Sequence, residues 1–423
     1  MEGGGFRAGP ALGRGAARGR EGRPTAPGLL LLCPSAAALA VVAWNGRQGL
    51  AGLALLLALP LLVGRAGSRG GAMLVAFAYY AAAARAVPGI LQGFFPGLSE
   101  LTCLALWAGH AALLALPWTL VHGAPGAPAW RRGVGAAAAL ALLSLPPLGL
   151  FHWASPLMAA GLLFPGWRWL GLLLTLALMA LLAAGDFGAR RVQGALLGAA
   201  VLALGANVAY RAPAPPPDWR AVSLALGRSP ELWSEQMEQR RLLLVRRALR
   251  ELEEGARVVV FPESVAGSDR RDQAALWLPV ARAAQARGAT VLVGEEHWGR
   301  GRQGFRNALV GYGAAGGNGA LLVSSRVPMP MGDWKFGLEE GAATDVFGDD
   351  VLVLHGRRVA FSMCYEDFLF WTHRGLLAGR AELLVSATNQ WPSAGTSAEV
   401  GQDLSRMALA RLAGVALLTA KNH

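Results

Sequence analysis

The sequence predicts an α-helical, multi-span membrane domain followed by an α/β sandwich domain. Two observations carry this. Apolar character is confined to one half: residues 29–210 are nearly all Ala, Leu, Gly, Val and Pro, whereas residues 211–423 have the mixed composition of a water-soluble domain. Over the whole chain 54% of residues are hydrophobic and only 16% charged, against about 25% charged in ordinary soluble domains. After residue 211, short β-branched runs alternate with stretches of helical periodicity, which is the pattern of an α/β fold.

Taken in order, residues 1–28 are rich in Gly, Arg and Pro and read as a disordered cytoplasmic tail rather than a cleaved leader, since many apolar runs follow. Seven runs then make up the membrane domain at 29–210: Leu29–Trp44, Leu50–Gly64, Ala72–Gly89, Leu101–Val121, Val134–Phe151, Trp169–Gly185 and Val192–Tyr210. Several are long enough to cross about 30 Å of hydrocarbon. Pro156–Phe164 is too short to do so and reads as an interfacial or re-entrant segment. Loops rich and poor in arginine alternate: Arg65 and Arg69, Arg131 and Arg132, Arg190 and Arg191 fall on one side with the tail. With seven spans this places everything after Tyr210 on the outer face; an eighth span would reverse it. Arg85, inside an apolar run, is either functional or snorkels to the nearby interface.

Residues 211–217 are a proline-rich linker, and 218–423 form the second domain. Helices are expected at Trp233–Gly255, Gln273–Arg287 and Gln402–Leu412. Strands are expected at Arg257–Phe261, Thr290–Gly294, Ala308–Tyr312, Leu321–Ser324, Val351–Leu354, Arg358–Met363, Leu383–Ser386 and Val415–Thr419. Hairpins among the alternating elements favour a sandwich over a simple doubly wound sheet.

The net charge of +12 does not indicate a nucleic-acid surface, because the arginines sit in the tail and between apolar runs, where membrane topology accounts for them. Nothing in the three cysteines, the histidines or the glycines has metal- or phosphate-binding spacing, so no metal and no cofactor are expected.

Two strand ends carry chemistry. Val258–Phe261 delivers Pro262-Glu263-Ser264, a carboxylate just past a buried strand, suited to a general base. Its bland alternative is a loop or helix-cap carboxylate. The second is Ser362-Met363-Cys364-Tyr365-Glu366-Asp367, where the strand stops at the cysteine and the chain turns polar at once. A strand-to-helix elbow can lower a thiol pKa and cradle an oxyanion; a lone cysteine is otherwise a buried hydrophobe.

Phe261-Pro262-Glu263-Ser264 followed far along the chain by Cys364-Tyr365-Glu366 resembles the nitrilase superfamily of carbon–nitrogen hydrolases. The apolar half in front narrows the resemblance to the apolipoprotein N-acyltransferase branch. More closely, the chain is similar to the TraB family of conjugal transfer proteins. The matching features are Ala78-Tyr79-Tyr80 with Arg85 and Phe94-Phe95, Arg326-Val327-Pro328-Met329-Pro330 with Trp334, Asn389-Gln390-Trp391, and Ala410-Arg411-Leu412 with Gly414.

The resemblance implies a nitrilase-like αββα sandwich and a Glu–Lys–Cys triad, with Glu263 as base, Cys364 as the nucleophile forming a thioester, and Tyr365 and Glu366 in support. In the place of the family's lysine stands Ser325 or Arg326; Lys335, across the Met329–Asp333 loop, is the alternative cation. An arginine supplies charge but does not exchange a proton. The implied partners are the lipid bilayer, an acyl or amide substrate at its surface and the conjugation machinery. The implied location is the bacterial inner membrane, with the C-terminal domain periplasmic. Three functions follow: an enzyme attacking an amide or acyl ester through Cys364, a degenerate membrane component of a conjugation apparatus, or an apolipoprotein N-acyltransferase.

Overall fold

The computed structural model describes residues 26–123, 127–268, 273–298, 304–334 and 341–423. Residues 1–25, most of the expected tail, and Lys335 lie outside them. The first half is helical: α1 Ala26–Ala43, α2 Ala58–Gly64, α3 Arg69–Ala83, α4 Val87–Phe94, α5 Glu100–Ala115, α6 Ala129–Ser144, α7 Ala159–Leu163, α8 Arg168–Ala184 and α9 Arg190–Ala209. Local chemistry sets their ends. Ser68 and Ser99 cap α3 and α5 by accepting from the Gly71 and Thr102 amides. Gly185, in the left-handed region at φ 70°, ends α8.

Two stretches are long and apolar enough to cross a bilayer, Glu100–Val121 at 22 residues and Arg190–Ala209 at 20; α3 and α4, bent by 50°, make a third if they count as one. That is fewer than the seven runs the sequence suggests, for physical reasons. Gly49–Leu57 is a 3-10 helix before α2 begins. The Val134 run is cut where α6 stops at Ser144, ahead of Pro146-Pro147, which cannot continue a helix. Pro156–Phe164 becomes a 3-10 turn and the short α7.

The helices run back and forth between two ends. At one end Arg69 donates to the His122 carbonyl, His122 donates to the Val63 carbonyl and Arg132 donates to the Ala184 carbonyl, so the loops bearing Arg65, Arg69, Arg131, Arg132, Arg190 and Arg191 lie together. At the other end lie the α1–α2 loop, the α3–α5 connection and residues 148–167, which meet the second half.

That second half holds β1 Trp219–Ala221, α10 Glu235–Glu253, β2 Val258–Val260, α11 Gln273–Ala286, β3 Thr290–Trp298, β4 Phe305–Gly313, β5 Gly317–Ser324, β6 Val351–Leu354, β7 Arg357–Met363, α12 Arg374–Leu377, β8 Leu383–Asn389, α13 Ser397–Ala413 and β9 Ala416–Asn422. One sheet has the order β1-β2-β3-β4-β5, the other β6-β7-β8-β9. The hairpins β3–β4–β5 and β6–β7 are antiparallel, and the other pairs parallel. β1 is the strand the sequence reading misses: three residues behind a proline-rich segment are too short to show alternation.

Strand parity makes the layers. Val258 and Val260 of β2, Val359, Phe361 and Met363 of β7, Leu383, Val385 and Ala387 of β8, and Ala416, Leu418 and Ala420 of β9 share one core between the sheets. Val259 and Val291 face the other way, onto Leu244 and Ala248 of α10 and Trp277 and Val280 of α11. Ala360 and Leu384 face α13. The result is an αββα stack. Its α13 layer has a second covering: Leu404, Ala408, Leu409 and Leu412 belong to the same core as Leu53, Leu56, Leu157 and Met158 of the helical half. At its closest point α7 has Gly161, where any Cβ would collide with the Ala408 backbone.

Candidate active site

The glutamate and the cysteine each arrive just beyond the C-terminal end of a strand. β7 ends at Met363, and Cys364 follows at φ 45°, a left-handed backbone that a non-glycine residue holds only when its surroundings over-determine it. A second such residue, Ser264 at φ 51°, follows Glu263 beyond β2. Gly294 of β3 lets that turn approach, because a Cβ there would strike the Pro262 carbonyl. Two sharp turns on facing sheets thus bring Glu263 and Cys364 side by side, close enough for each to shift the other's ionisation.

Glu263 is only 4% exposed. Asn307 of β4 donates to its Oε1 at 2.5 Å, and the Asn307 Oδ1 accepts from Ser264 Oγ at 3.1 Å, so the amide's orientation is set by the turn it holds. Burial, with Asp333 close by, pushes the Glu263 carboxyl up to about 8, against the neighbouring thiol and the Asn307 hydrogen bond. Burial likewise raises Asp333 to about 6. Burial and Asp333 together raise Glu296 to about 7. Burial and the adjoining Glu263 push the Cys364 thiol well above its usual range, so the resting pair holds its protons at neutral pH. The Cys364 thiol points at the Asn389 carbonyl, 3.9 Å away, and Gln402 Nε2 donates to the Cys364 carbonyl at 2.8 Å.

Glu366 is fully buried and acts as a hub beneath the elbow. Its Oε1 accepts from Ser325 Oγ at 3.2 Å and from the amides of Arg326 at 2.5 Å and Val327 at 3.1 Å; its Oε2 accepts from the Met363 amide at 3.2 Å and from the Arg326 guanidinium. The other bond of that guanidinium goes to the Phe361 carbonyl at 2.7 Å. Arg326 is therefore turned to Glu366, the counter-charge that a buried guanidinium requires. Among the described residues, no lysine or arginine side chain is hydrogen-bonded to Glu263 or Cys364, and Lys335 lies outside them. Tyr365 leaves the sandwich altogether: its hydroxyl donates to the Leu150 carbonyl at 2.9 Å.

A second buried network supports the elbow from the far side. Asp367 accepts from Ser362, Ser386 and Gln402 at 2.6–3.1 Å, and Arg406 faces it at 3.6 Å. Sequence reasoning picked out Glu263, Cys364, Tyr365 and Glu366 but not Asn307, Gln402 or Arg406. The one available signal for Asn307 is a polar residue immediately before the apolar run Ala308–Tyr312.

Over Cys364 lies a cavity of about 230 Å³. One wall is the face of α4 formed by Val87, Ile90, Leu91 and Phe94; another is Met329–Gly332; Trp153 and Phe368 also line it. It is mostly apolar, with His110, Asn389, Ser393 and Gln402 as the polar residues of its lining besides Tyr365 and the thiol. A thiol, a carboxyl within reach of its proton and an apolar recess suit covalent attack on a carbonyl carried by an apolar substrate.

No family model matches the chain. It is 32% identical to the conjugal transfer protein TraB of Agrobacterium fabrum over 409 residues, covering 91% of this chain and 90% of that one. It is 29% identical to a probable conjugal transfer protein TraB of Sinorhizobium fredii, covering 90% and 95%. Among solved structures it is similar to an amidase of the nitrilase superfamily from Nesterenkonia AN1, at 20% identity and a TM-score of 0.32, over 48% of this chain and 74% of that one. It is also similar to a carbon–nitrogen hydrolase from Helicobacter pylori, at 15% identity and a TM-score of 0.30, over 40% and 59%. The assignment of an αββα stack rests on the strand register and layers above.

Proposed function

This chain belongs to the TraB family of conjugal transfer proteins, and from that membership we propose that it is a membrane-anchored, nitrilase-type enzyme in which Cys364 attacks an amide or acyl ester. The supporting observation is the adjoining Glu263 carboxyl and Cys364 thiol beyond facing strand ends. In this reading ionised Glu263 takes the thiol proton as Sγ bonds to the carbonyl carbon, whose oxygen becomes an oxyanion. The tetrahedral species collapses, the C–N or C–O bond breaks, and Glu263 returns the proton to the departing amine or alcohol. An acceptor, water or an amine, then attacks the thioester and frees the thiol. Arg326 acts from behind the elbow through Glu366 rather than on the oxyanion, and Lys335 is the remaining candidate for direct contact.

The apolar cavity favours an acyl ester donor, as an N-acyltransferase would use. A degenerate, non-catalytic component of a conjugation apparatus is favoured by a different observation: the buried carboxyl of Glu263 and the half-buried one of Asp333 have no hydrogen-bonded cation among the described residues. Labelling the full chain in detergent with an activity-based thiol probe separates the two. The enzyme reading expects Cys364 to be modified well before Cys33 and Cys103; equal labelling of the three, or none at Cys364, removes it.

We place the chain in a bacterial inner membrane with the sandwich on the periplasmic side. The support is the cluster of Arg65, Arg69, Arg131, Arg132, Arg190 and Arg191 at the end of the bundle away from the sandwich. Short elements still reach: nine residues of 3-10 helix followed by seven of α-helix at Gly49–Gly64 extend about 28 Å, near the thickness of the hydrocarbon. Alkaline phosphatase fused after His423 should be active in cells and a cytoplasmic reporter inactive; the reverse pair would invert the orientation.

A further inference from the structure

Between the helical half and the cysteine elbow runs a strap, residues 149–154, which leaves a short 3-10 turn at Leu148–Leu150 and has its polar groups divided between the two sides. The sandwich takes the first two carbonyls: Trp371 Nε1 donates to Gly149 at 3.3 Å and the Tyr365 hydroxyl to Leu150 at 2.9 Å. The helical half takes the rest. His110 Nε2 donates to the Phe151 carbonyl at 3.0 Å, Tyr80 meets His152 Nε2 at 3.1 Å, and the Tyr79 hydroxyl donates to the Ala154 carbonyl at 3.1 Å.

Behind these stand two indoles. Trp44 Nε1 donates to the Tyr79 hydroxyl at 3.1 Å and Trp118 Nε1 to the Tyr80 hydroxyl at 3.2 Å. Tyr79, Tyr80 and His152 are all at most 3% exposed. In apolar surroundings such hydroxyls are costly unless paired, and here each is paired on both sides. Nothing in bundle packing calls for a polar relay at this place; its endpoint is the backbone that Tyr365 holds.

We propose that Tyr79, Tyr80 and His110 are positioning residues for Cys364, acting through the 149–154 strap and Tyr365. This rests on the reading of Cys364 as a nucleophile served by Glu263. The link is mechanical. Cys364 is held in a left-handed conformation, so the elbow relaxes unless its flanks are clamped. Gln402 holds the Cys364 carbonyl, Glu366 holds the Met363 amide, and Tyr365, the next residue, is tied to the strap. Releasing the strap lets Sγ drift from the Glu263 carboxyl, and a displacement of about 1 Å in such a pair can cost as much as about 100-fold in rate. The helical half is then part of the site and not only its anchor.

The test uses the full chain in detergent and the rate of Cys364 alkylation by iodoacetamide at pH 8, in wild type, Tyr79→Phe/Tyr80→Phe and Tyr365→Phe. Tyr312→Phe, which removes a buried hydroxyl from the sandwich far from the strap, is the control. Expected are a slowing of roughly tenfold or more in the two strap variants and less than about twofold in the control. Adding Glu263→Gln to the strap variants should cost less than it costs wild type, because both changes act on one pair. Wild-type rates in both strap variants, or equal slowing in the control, overturn the proposal. If the double tyrosine variant does not fold, Tyr365→Phe decides alone. Should Glu263→Gln leave the wild-type rate unchanged, it is the base reading that falls, which is a separate outcome.

Discussion

Changing Glu263 to Gln should slow alkylation of Cys364 at pH 8 by about 10²-fold or more, the lower range of what a positioned general base contributes. The amide keeps the shape and can still accept from Asn307, but it cannot take a proton. The pH dependence carries the sharper signature. Burial puts the Glu263 carboxyl at about 8, so the wild-type rate should climb as pH rises through that value, while the variant should lack the inflection. The stability effect has the opposite sign. A carboxyl raised in the folded state keeps a proton that the unfolded chain releases near its ordinary pKa of 4.5. Wild type therefore loses stability as pH rises from there to about 8, and Glu263→Gln should flatten that part of the melting profile. Cys364→Ser should give no adduct while folding and inserting normally. An alkylation rate in Glu263→Gln equal to wild type across pH 6–9 would remove Glu263 as the base.

Glu366→Ala should cost about 3–5 kcal/mol of stability, the range for breaking a fully buried charge pair by deleting one partner. The arginine left behind is 3% exposed and has no route to water. Three backbone amides and the Ser325 hydroxyl would lose their acceptor as well. Glu366→Gln combined with Arg326→Met should recover most of the loss, since an apolar replacement leaves no orphaned charge. The measurement is the apparent melting temperature of the detergent-solubilised chain. A loss below about 0.5 kcal/mol in Glu366→Ala, the size of an ordinary surface change, would mean that the pair is not the anchor of the elbow.

Much of the second half was legible because its strands obey simple rules. Val258-Val259-Val260 and Thr290–Gly294 are β-branched, short and bounded by glycine or proline, and the structure has strands there. The glutamate and cysteine were legible because each follows such a strand directly. Local patterns could not show what holds them. Asn307 lies on β4 and reaches Glu263 only because β3 and β4 pair in one register. Arg326 looked like a stand-in for a catalytic cation by its place in the chain. Its actual partner, Glu366, depends on how the loop at 325–327 folds under the elbow. The helical half was hardest to read: length and hydropathy do not distinguish a 3-10 segment from an α-helix, or a strap from the end of a span.

Gly161 against the Ala408 backbone has a consequence for how the protein is made. Helices α1 to α9 leave the ribosome before α13, the element that Gly161 receives. One side of α13 is finished by the sandwich and the other by the helical half. As α13 docks, a wedge therefore enters a groove that is already built. A gene fragment encoding only residues 218–423 would leave Ala408 and Leu412 facing water, a sticky seam that invites self-association. The sandwich of this protein is thus not a cassette that can be excised and studied alone; α13 matures against the earlier half.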